Sequence, residues 1–230
     1  MRRACLAFAI AVGVAGCGSS TSHSSQSSST STAASGAPAP AACRTVAVPK
    51  PKGPQHLAPP QVKLDPARTY TVTVVTNCGK FAFTLDVKQS PKTSASIYSL
   101  VKRGFYNGLT FHRVATGFVI QGGDPLGNGA GGPGYGVVEP PPPSTQYVRG
   151  DVAMAKTQAD PRGASGSQFF VVTGANITQS AGLTPDYALA GKVVSGIDVA
   201  EKIGSLPTNP PGDGAPTPPV VMSSVTVSTR

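Results

Sequence analysis

Apolar and polar residues alternate with a period of two over much of this chain. Tyr70, Val72 and Val74 alternate with other residues, and a second alternating run follows Asn77-Cys78-Gly79. Two such runs around a short turn containing Asn and Gly are typical of a β-hairpin. Short apolar runs then recur at 109–114, 117–121, 151–155, 168–173, 187–194 and 220–227. The pattern predicts a domain built mainly of short strands.

The spacing changes to that of a helical face after residue 90. Ser90 can cap a helix, and Pro91 stands at the first helical position, where its missing N–H has no cost. Gly104 can end this helix. A weaker helical pattern covers 196–203. Many strands with two helices favour a mainly β fold, a closed antiparallel sheet with two capping α-helices, formed by residues 66–230.

The N-terminal residues are interpreted as a targeting segment. Two arginines precede an apolar run of twelve residues, which is too short to span a bilayer, and small residues lead to Cys17. Because this arrangement looks like a bacterial lipobox, residues 1–16 are predicted to be a lipoprotein signal peptide. Cys17 would then carry a lipid that anchors the protein to the membrane outside the cytoplasm. An ordinary secretory signal with an incidental Cys is the alternative.

Residues 17–65 are predicted to form a tether between the anchor and the domain. From 18 to 35, 13 of the 18 residues are Ser or Thr, so this part has little to bury and should be solvated. Seven prolines between 37 and 60 should make the second part stiffer and more extended.

Cysteine usage predicts one disulfide. The chain has four Cys, of which Cys43 and Cys78 remain after signal-peptide cleavage and acylation of Cys17. An even pair in an oxidising compartment favours a bond between the two. Two free thiols are the alternative.

Composition and charge exclude several classes of protein. The 230 residues include 27 Gly and 23 Pro, which argues against a coiled coil or a helical bundle. The formal net charge is +9, but the basic residues are scattered and no aromatic residues are interleaved with them, so no nucleic-acid partner is expected. No His, Cys, Asp or Glu residues have the sequence spacing typical of metal ligands, and we expect neither a metal nor a cofactor.

One nucleotide-binding pattern and one class of catalytic arrangement are set aside. Residues 127–132 fit G-x-G-x-x-G, a pattern that binds the phosphates of a dinucleotide when a helix begins directly after it. Here Pro133-Gly134 follows and no helix can begin, so the segment is interpreted as a loop. Within 66–230 there is a single histidine, His112, which leaves little from which to build a Ser-His-Asp or Cys-His catalyst. His112 is expected to be structural.

Three motifs place a polar side chain among strand-forming apolar residues: Phe111-His112-Arg113-Val114, the sequence GFVIQGGD at 117–124, and GSQFFV at 166–171. Each alone is compatible with ordinary core packing, with Arg113 in a surface salt bridge. In this order they resemble the cyclophilin family of peptidyl-prolyl cis-trans isomerases, over roughly 69–227. The resemblance implies a closed eight-stranded antiparallel β-barrel with two capping α-helices.

The resemblance also implies a set of site residues. Arg113 would donate to the prolyl nitrogen, Phe118 would line the ring pocket, and Gln121 would hold Arg113 or the substrate carbonyl; these three form the catalytic group. Gly182 falls where the family frequently has a pocket Trp, which would leave one wall open. The implied substrate-binding residues are Val119, Ala155, Lys156, Gln168, Phe170, Leu183 and Tyr187.

The sequence therefore predicts a lipid-anchored prolyl isomerase, a monomer that acts on proline-containing segments of exported proteins. Two rival functions are a non-catalytic receptor for proline peptides that uses the same groove, and a structural lipoprotein of the cell wall. The run Pro140-Pro141-Pro142-Pro143 is interpreted as a stiff surface spacer; the alternatives are a docking ligand or an intramolecular competitor for the site.

Overall fold

A computed structural model of the protein describes residues 42–230. The predicted signal peptide, the lipidated Cys17 and the first part of the predicted tether lie outside the described residues. No helix within 42–230 is long and apolar enough to cross a membrane. The described elements, in chain order, are β1 (Tyr70–Thr76), β2 (Gly79–Leu85), α1 (Pro91–Lys102), β3 (Thr110–Ala115), β4 (Val119–Gly122), β5 (Val137–Val138), β6 (Asp151–Met154), β7 (Ala164–Ser165), β8 (Phe169–Val172), α2 (Ile177–Ala181), β9 (Leu189–Ser195), α3 (Ile197–Gly204), β10 (Thr208–Asn209), β11 (Asp213–Pro216) and β12 (Val220–Thr229).

Eight of the strands close into a barrel. Their order is β3-β12-β1-β2-β9-β6-β8-β4, every neighbouring pair is antiparallel, and β4 pairs back with β3. Strands β11 and β10 extend the sheet from β3 outside this ring, and β5 pairs with β7 in a separate ribbon. The predicted closed eight-stranded antiparallel barrel is confirmed.

The predicted hairpin and both predicted helices are present, and the structure adds a third helix. Strands β1 and β2 pair around Asn77-Cys78, and α1 begins at Pro91. Helix α3 matches the weaker helical pattern closely. The added helix, α2, has only five residues, too few to show a helical period in the sequence.

The cap of α1 differs from the sequence prediction. The side chain of Ser90 makes no capping hydrogen bond. The carboxylate of Glu139, which follows β5, accepts the backbone N–H groups of Lys92 and Thr93 at 3.0 and 2.8 Å. A carboxylate satisfies free N–H groups at a helix N-terminus and also interacts favourably with the helix dipole. The cap therefore comes from a distant segment.

Alternate residues of the strands belong to two separate apolar clusters. In β8, Phe169 and Val171 pack into the main core, while Phe170 and Val172 belong to a smaller second cluster. Such alternation is expected of a barrel, where successive side chains point inward and outward. The main core is therefore the barrel interior, and the second cluster lies on the outer face of the wall.

Residues 42–65 contain no helix or strand and form an extended strap along the domain. A disulfide joins Cys43 to Cys78, the pair that the sequence predicts. The backbone N–H groups of Lys52 and Leu57 donate to the carbonyl oxygens of Pro125 and Pro133 at 2.9 and 2.8 Å. The leucines at 57 and 64 also pack against the main core. This part of the predicted tether is extended, but it is held against the domain.

Candidate active site

Four neighbouring strands place the central residues of the candidate site side by side. Arg113 on β3 lies opposite Gln121 on β4, and Gln121 lies opposite Phe170 on β8. Phe170 in turn lies opposite Ala153 on β6. Because opposite residues of antiparallel strands have neighbouring side chains, this register sets a cation and an amide beside an aromatic ring.

The second cluster brings together most of the predicted substrate-contacting residues. Phe170 and Val119 are buried there, and four others that are partly exposed pack against them: Phe118, Ala155, Leu183 and Tyr187. The rings of Phe170 and Tyr187 meet edge to face, with centroids 5.5 Å apart. The result is an apolar surface on the outside of the barrel next to Arg113, suited to an apolar ring.

Tyr147, which the sequence does not predict as a site residue, belongs to the same cluster and packs its ring against those of Phe170 and Tyr187. It is fully buried, and its hydroxyl donates to the carbonyl oxygen of Tyr187 at 2.7 Å and accepts the N–H of Tyr187 at 2.9 Å. Burial raises the pKa of Tyr147 to about 12, so the hydroxyl keeps the proton that it donates. The two bonds fix the backbone at Tyr187. No local pattern around residue 147 indicated this role.

A chain of side-chain hydrogen bonds runs through the polar half of the site. Nη1 of Arg113 donates to Oε1 of Gln121 at 3.1 Å, and Nε2 of Gln121 donates to Oε1 of Gln168 at 3.1 Å. Nε2 of Gln168 donates to the carbonyl oxygens of Gly129 and Gly131 at 2.9 and 2.8 Å. Three predicted site residues are thus connected to the glycine-rich loop, residues 122–136.

Asp124 holds the glycine-rich loop in shape. Its side chain is buried, with 1% of the residue exposed, and its carboxylate accepts the N–H groups of Leu126, Asn128 and Gly129. These backbone bonds replace the water that a buried carboxylate loses. The loop contains no helix, in agreement with its interpretation as a loop. Because Asp124 already satisfies these N–H groups, they are not free to bind a phosphate.

The glycine-rich loop forms one wall of a groove of about 660 Å³. Gln121, Ala155, Lys156 and Gln168 line it, and all four were predicted site residues. Ala155 also belongs to the apolar surface, so groove and surface adjoin. Nζ of Lys156 lies 5.6 Å from the ring centroid of Tyr187, a cation–π distance. A bound peptide could therefore contact both regions.

Gly182 leaves the space beside Leu183 open. It ends α2 in the left-handed conformation at φ +63°, and no atom lies within 4 Å of the position that a Cβ would take. The residue is exposed. This geometry agrees with the predicted open wall.

The proline run lies beside the groove. Pro141 is buried, and its carbonyl oxygen accepts a hydrogen bond from Nη2 of Arg162, while Pro140, Pro142 and Pro143 are exposed. Nε of Arg162 donates to the carbonyl oxygen of Pro185 at 2.7 Å. Among the described residues that line the groove, none belongs to the run. These contacts favour the role of a spacer over that of an internal competitor.

Two further groups bear on the chemistry. Burial lowers the pKa of His112, and its ring nitrogens have no hydrogen-bond partner within 42–230. His112 is therefore neutral at pH 7 and unsuited to proton transfer with a substrate outside the barrel.

Asp213, which the sequence does not predict as a site residue, accepts hydrogen bonds from Nε and Nη2 of Arg113 at 2.7 Å each. Among the described residues, no group of three or more His, Cys, Asp or Glu could hold a metal ion.

Comparison with known proteins gives a consistent result. The family model described as "Cyclophilin type peptidyl-prolyl cis-trans isomerase/CLD" matches residues 71–227. A peptidyl-prolyl cis-trans isomerase of Helicobacter pylori is 36% identical over 154 residues, which cover 61% of this chain and 90% of that protein. Peptidyl-prolyl cis-trans isomerase A of Mycobacterium tuberculosis is 35% identical over 180 residues, 71% of this chain and 94% of that protein.

Comparison with solved structures gives the same family as the sequence comparisons. A cyclophilin-type peptidyl-prolyl cis-trans isomerase of Cryptosporidium parvum superposes with a TM-score of 0.61 at 28% identity, covering 70% of this chain and 98% of that one. A second structure of that protein, obtained in the presence of the dipeptide Ala-Pro, has a TM-score of 0.60 at 29% identity and covers 69% of this chain and 98% of that one.

Proposed function

Since the chain belongs to the cyclophilin-type peptidyl-prolyl cis-trans isomerase family and is an isomerase of X-Pro peptide bonds, we propose that it assists the folding of exported proteins. Its substrates are extended, proline-containing segments of chains that fold outside the cytoplasm. There, proline isomerisation takes tens of seconds without a catalyst and limits folding. The protein raises the rate of this isomerisation by stabilising the twisted X-Pro bond.

The reaction needs no bond to be broken. Rotation about the X-Pro bond has a barrier of about 18–20 kcal/mol, because conjugation is lost in the twisted state. In that state the prolyl nitrogen regains a lone pair and becomes a hydrogen-bond acceptor. A donor aimed at this nitrogen, together with an apolar surface that fixes the ring, stabilises the twisted geometry more than either planar one.

One observation carries the assignment of roles: Arg113 lies in register with Gln121 and Phe170, at the edge of the apolar surface. Arg113 donates to the prolyl nitrogen, and a guanidinium suits this task because it is always charged and has several N–H groups. Phe118 and Phe170 hold the proline ring. Gln168, which lines the groove, contacts the flanking peptide.

The test is the rate of cis–trans exchange of an Ala-Pro peptide, measured by NMR with catalytic amounts of protein. Arg113→Ala should lower kcat/KM by about 10²–10³, the range found when one preorganised donor to a transition state is removed. Arg149→Ala is the matched control, because Arg149 also pairs with a carboxylate, that of Glu201, and should keep the wild-type rate.

The receptor hypothesis gives a different result. A non-catalytic receptor that used the same groove would bind the Ala-Pro peptide without accelerating its exchange. An absence of acceleration by the wild type, with peptide binding intact, would exclude the isomerase and favour the receptor. Full activity of Arg113→Ala would exclude Arg113 as the donor.

We further propose that the protein works as a monomer anchored to the cell membrane through lipidated Cys17. The lipobox-like sequence that ends at Cys17 supports the anchor. The Cys43–Cys78 bond is compatible with an oxidising, extracytoplasmic location. Metabolic labelling with palmitate should be lost in Cys17→Ala. An unlipidated wild-type protein released into the medium would contradict the proposal.

A further inference from the structure

The guanidinium of Arg113 is held by two partners. Its Nε and Nη2 donate to Oδ1 and Oδ2 of Asp213 at 2.7 Å each, and its Nη1 donates to Oε1 of Gln121 at 3.1 Å. The Asp213 pair is bidentate, the geometry that matches the fork of a guanidinium to the two oxygens of a carboxylate. Arg113 therefore has a fixed plane as well as a fixed position.

Asp213 reaches Arg113 because of an addition to the barrel. Strand β11 lies in residues 207–219, a segment with six prolines before β12, and pairs with β3 outside the eight-stranded ring, with Asp213 opposite Ala115. Ala115 is two residues from Arg113 on the same strand and therefore on the same face. A diagonal neighbour across an antiparallel pair is within reach of a long side chain. The segment thus delivers a carboxylate to the edge of the candidate active site.

Three bonds still leave Arg113 able to act on a substrate. A guanidinium has five N–H donors, one on Nε and two on each terminal nitrogen. Asp213 and Gln121 occupy one N–H on each of the three nitrogens. One N–H on Nη1 and one on Nη2 remain available, and the plane that contains them is set by Asp213.

We propose that Asp213 is a positioning residue for prolyl isomerisation: it fixes the orientation of Arg113 so that the remaining N–H groups face the apolar surface. This inference rests on the proposed role of Arg113. A long side chain without such a partner must lose its rotamer freedom during each catalytic event. Holding a donor in the productive geometry beforehand removes that cost from the barrier.

An incidental surface salt bridge is the competing explanation, since 36% of the Arg113 side chain and 53% of the Asp213 side chain are exposed. The same chain offers a comparison, because Arg149 and Glu201 form a bidentate pair through the same two nitrogens. The pair of Arg113 differs in one respect: Gln121 binds the same guanidinium and continues the hydrogen-bond chain to Gln168. Asp213 thus completes a connected site.

The first experiment measures kcat and KM for the Ala-Pro peptide by NMR exchange. Asp213→Asn removes the charge at nearly constant size and sets an amide N–H₂ against a guanidinium donor. We expect kcat to fall about tenfold and KM to change less than twofold. Asp213→Glu, which restores the carboxylate, should recover to within about threefold of the wild type. Glu201→Gln, the matched control, should leave both constants unchanged.

The second experiment separates positioning from a general structural effect. In the Arg113→Ala background, Asp213→Asn should produce no further loss, because a residue that acts only through Arg113 has nothing left to orient. The ¹⁵Nε–H resonance of Arg113 should be sharp and slowly exchanging in the wild type and Asp213→Glu, and broadened in Asp213→Asn.

Each unfavourable outcome has its own meaning. Wild-type or raised activity of Asp213→Asn would overturn the inference while leaving the role of Arg113 intact. An equal loss from Asp213→Asn with and without Arg113 would overturn it as well. Full activity of Arg113→Ala would instead contradict the proposed role of Arg113 as the donor, on which this inference rests.

Discussion

Gln121 lies directly opposite Arg113 on the neighbouring strand, and its Oε1 accepts a hydrogen bond from Nη1 of Arg113 at 3.1 Å. The Nε2 of Gln121 donates to Oε1 of Gln168 at 3.1 Å. The amide oxygen of Gln121 thus binds the guanidinium of Arg113, and the amide nitrogen binds Gln168, which lines the groove. A side chain that lacks either function breaks the connection between Arg113 and the glycine-rich loop.

Replacement of Gln121 by Leu should therefore lower kcat/KM about tenfold, since a leucine of similar size neither accepts from Arg113 nor donates to Gln168. The measurement is NMR exchange of the Ala-Pro peptide, with urea unfolding to show that the fold is kept. Gln89→Leu, at an exposed position before α1, is the control. Unchanged activity of Gln121→Leu would mean that Arg113 does not need this partner.

The loop carboxylate gives a second prediction, in stability and activity together. Asp124→Asn should reduce the free energy of unfolding by about 2 kcal/mol or more, because a buried carboxylate accepts three backbone N–H groups and an amide offers a single acceptor oxygen. Activity should fall too, since Gln168 is held by carbonyl oxygens of the same loop.

Asp65→Asn is the matched control for Asp124. The carboxylate of Asp65 is exposed and accepts the N–H of Ala67 at 2.9 Å, so its loss should change stability by about 0.5 kcal/mol or less. Equal destabilisation by the two substitutions would contradict the role of Asp124 in shaping the loop.

The distant cap of α1 gives a third prediction. Glu139→Gln removes the charge that faces two N–H groups in the first turn of α1, and should cost about 1 kcal/mol in urea unfolding. Ser90→Ala should cost much less, because the Ser90 side chain makes no capping bond. If Ser90→Ala were the more damaging change, Glu139 would not be the cap.

The sequence predicts those features that are determined by residues close together in the chain, and it does not predict contacts between residues far apart in the chain. Strand periodicity, the helix start at Pro91 and the two motifs that contain Arg113 and Gln121 are local, and all appear where the pattern places them. Glu139 and Asp213 act on partners 46 and 100 residues away. Their contacts depend on the path of the chain between strands, which no local pattern determines.

Burial of His112 gives a fourth prediction, in pH dependence. Burial lowers the pKa of His112 below its ordinary 6.5, so as the pH falls the unfolded chain takes up the proton first. Folding stability should therefore be at its full value above about pH 6.5 and decline below it, by up to about 1.4 kcal/mol per pH unit. Asp124 and Arg113 are the charges near the ring, with opposite effects on its pKa.

Urea unfolding at pH 5.5 and 7.5 tests this dependence. His112→Gln should flatten the decline, whereas His56→Gln, in the strap, should keep it. Isomerase activity should stay constant from pH 6 to 9, because the proposed mechanism transfers no proton and guanidinium groups in general are always charged in proteins. A bell-shaped rate profile in that range would contradict a mechanism without proton transfer.

The alternation in β8 separates the side chains that build the barrel interior from those that form the candidate active site. Phe169 belongs to the barrel interior and Phe170 to the outer apolar surface, although they are consecutive in the chain. Outward positions can therefore be varied in a designed library to change what the apolar surface binds, while the inward positions maintain folding. A one-residue deletion in β8 would exchange the two sets at once, so this wall depends on its register as well as on the identity of its outward residues.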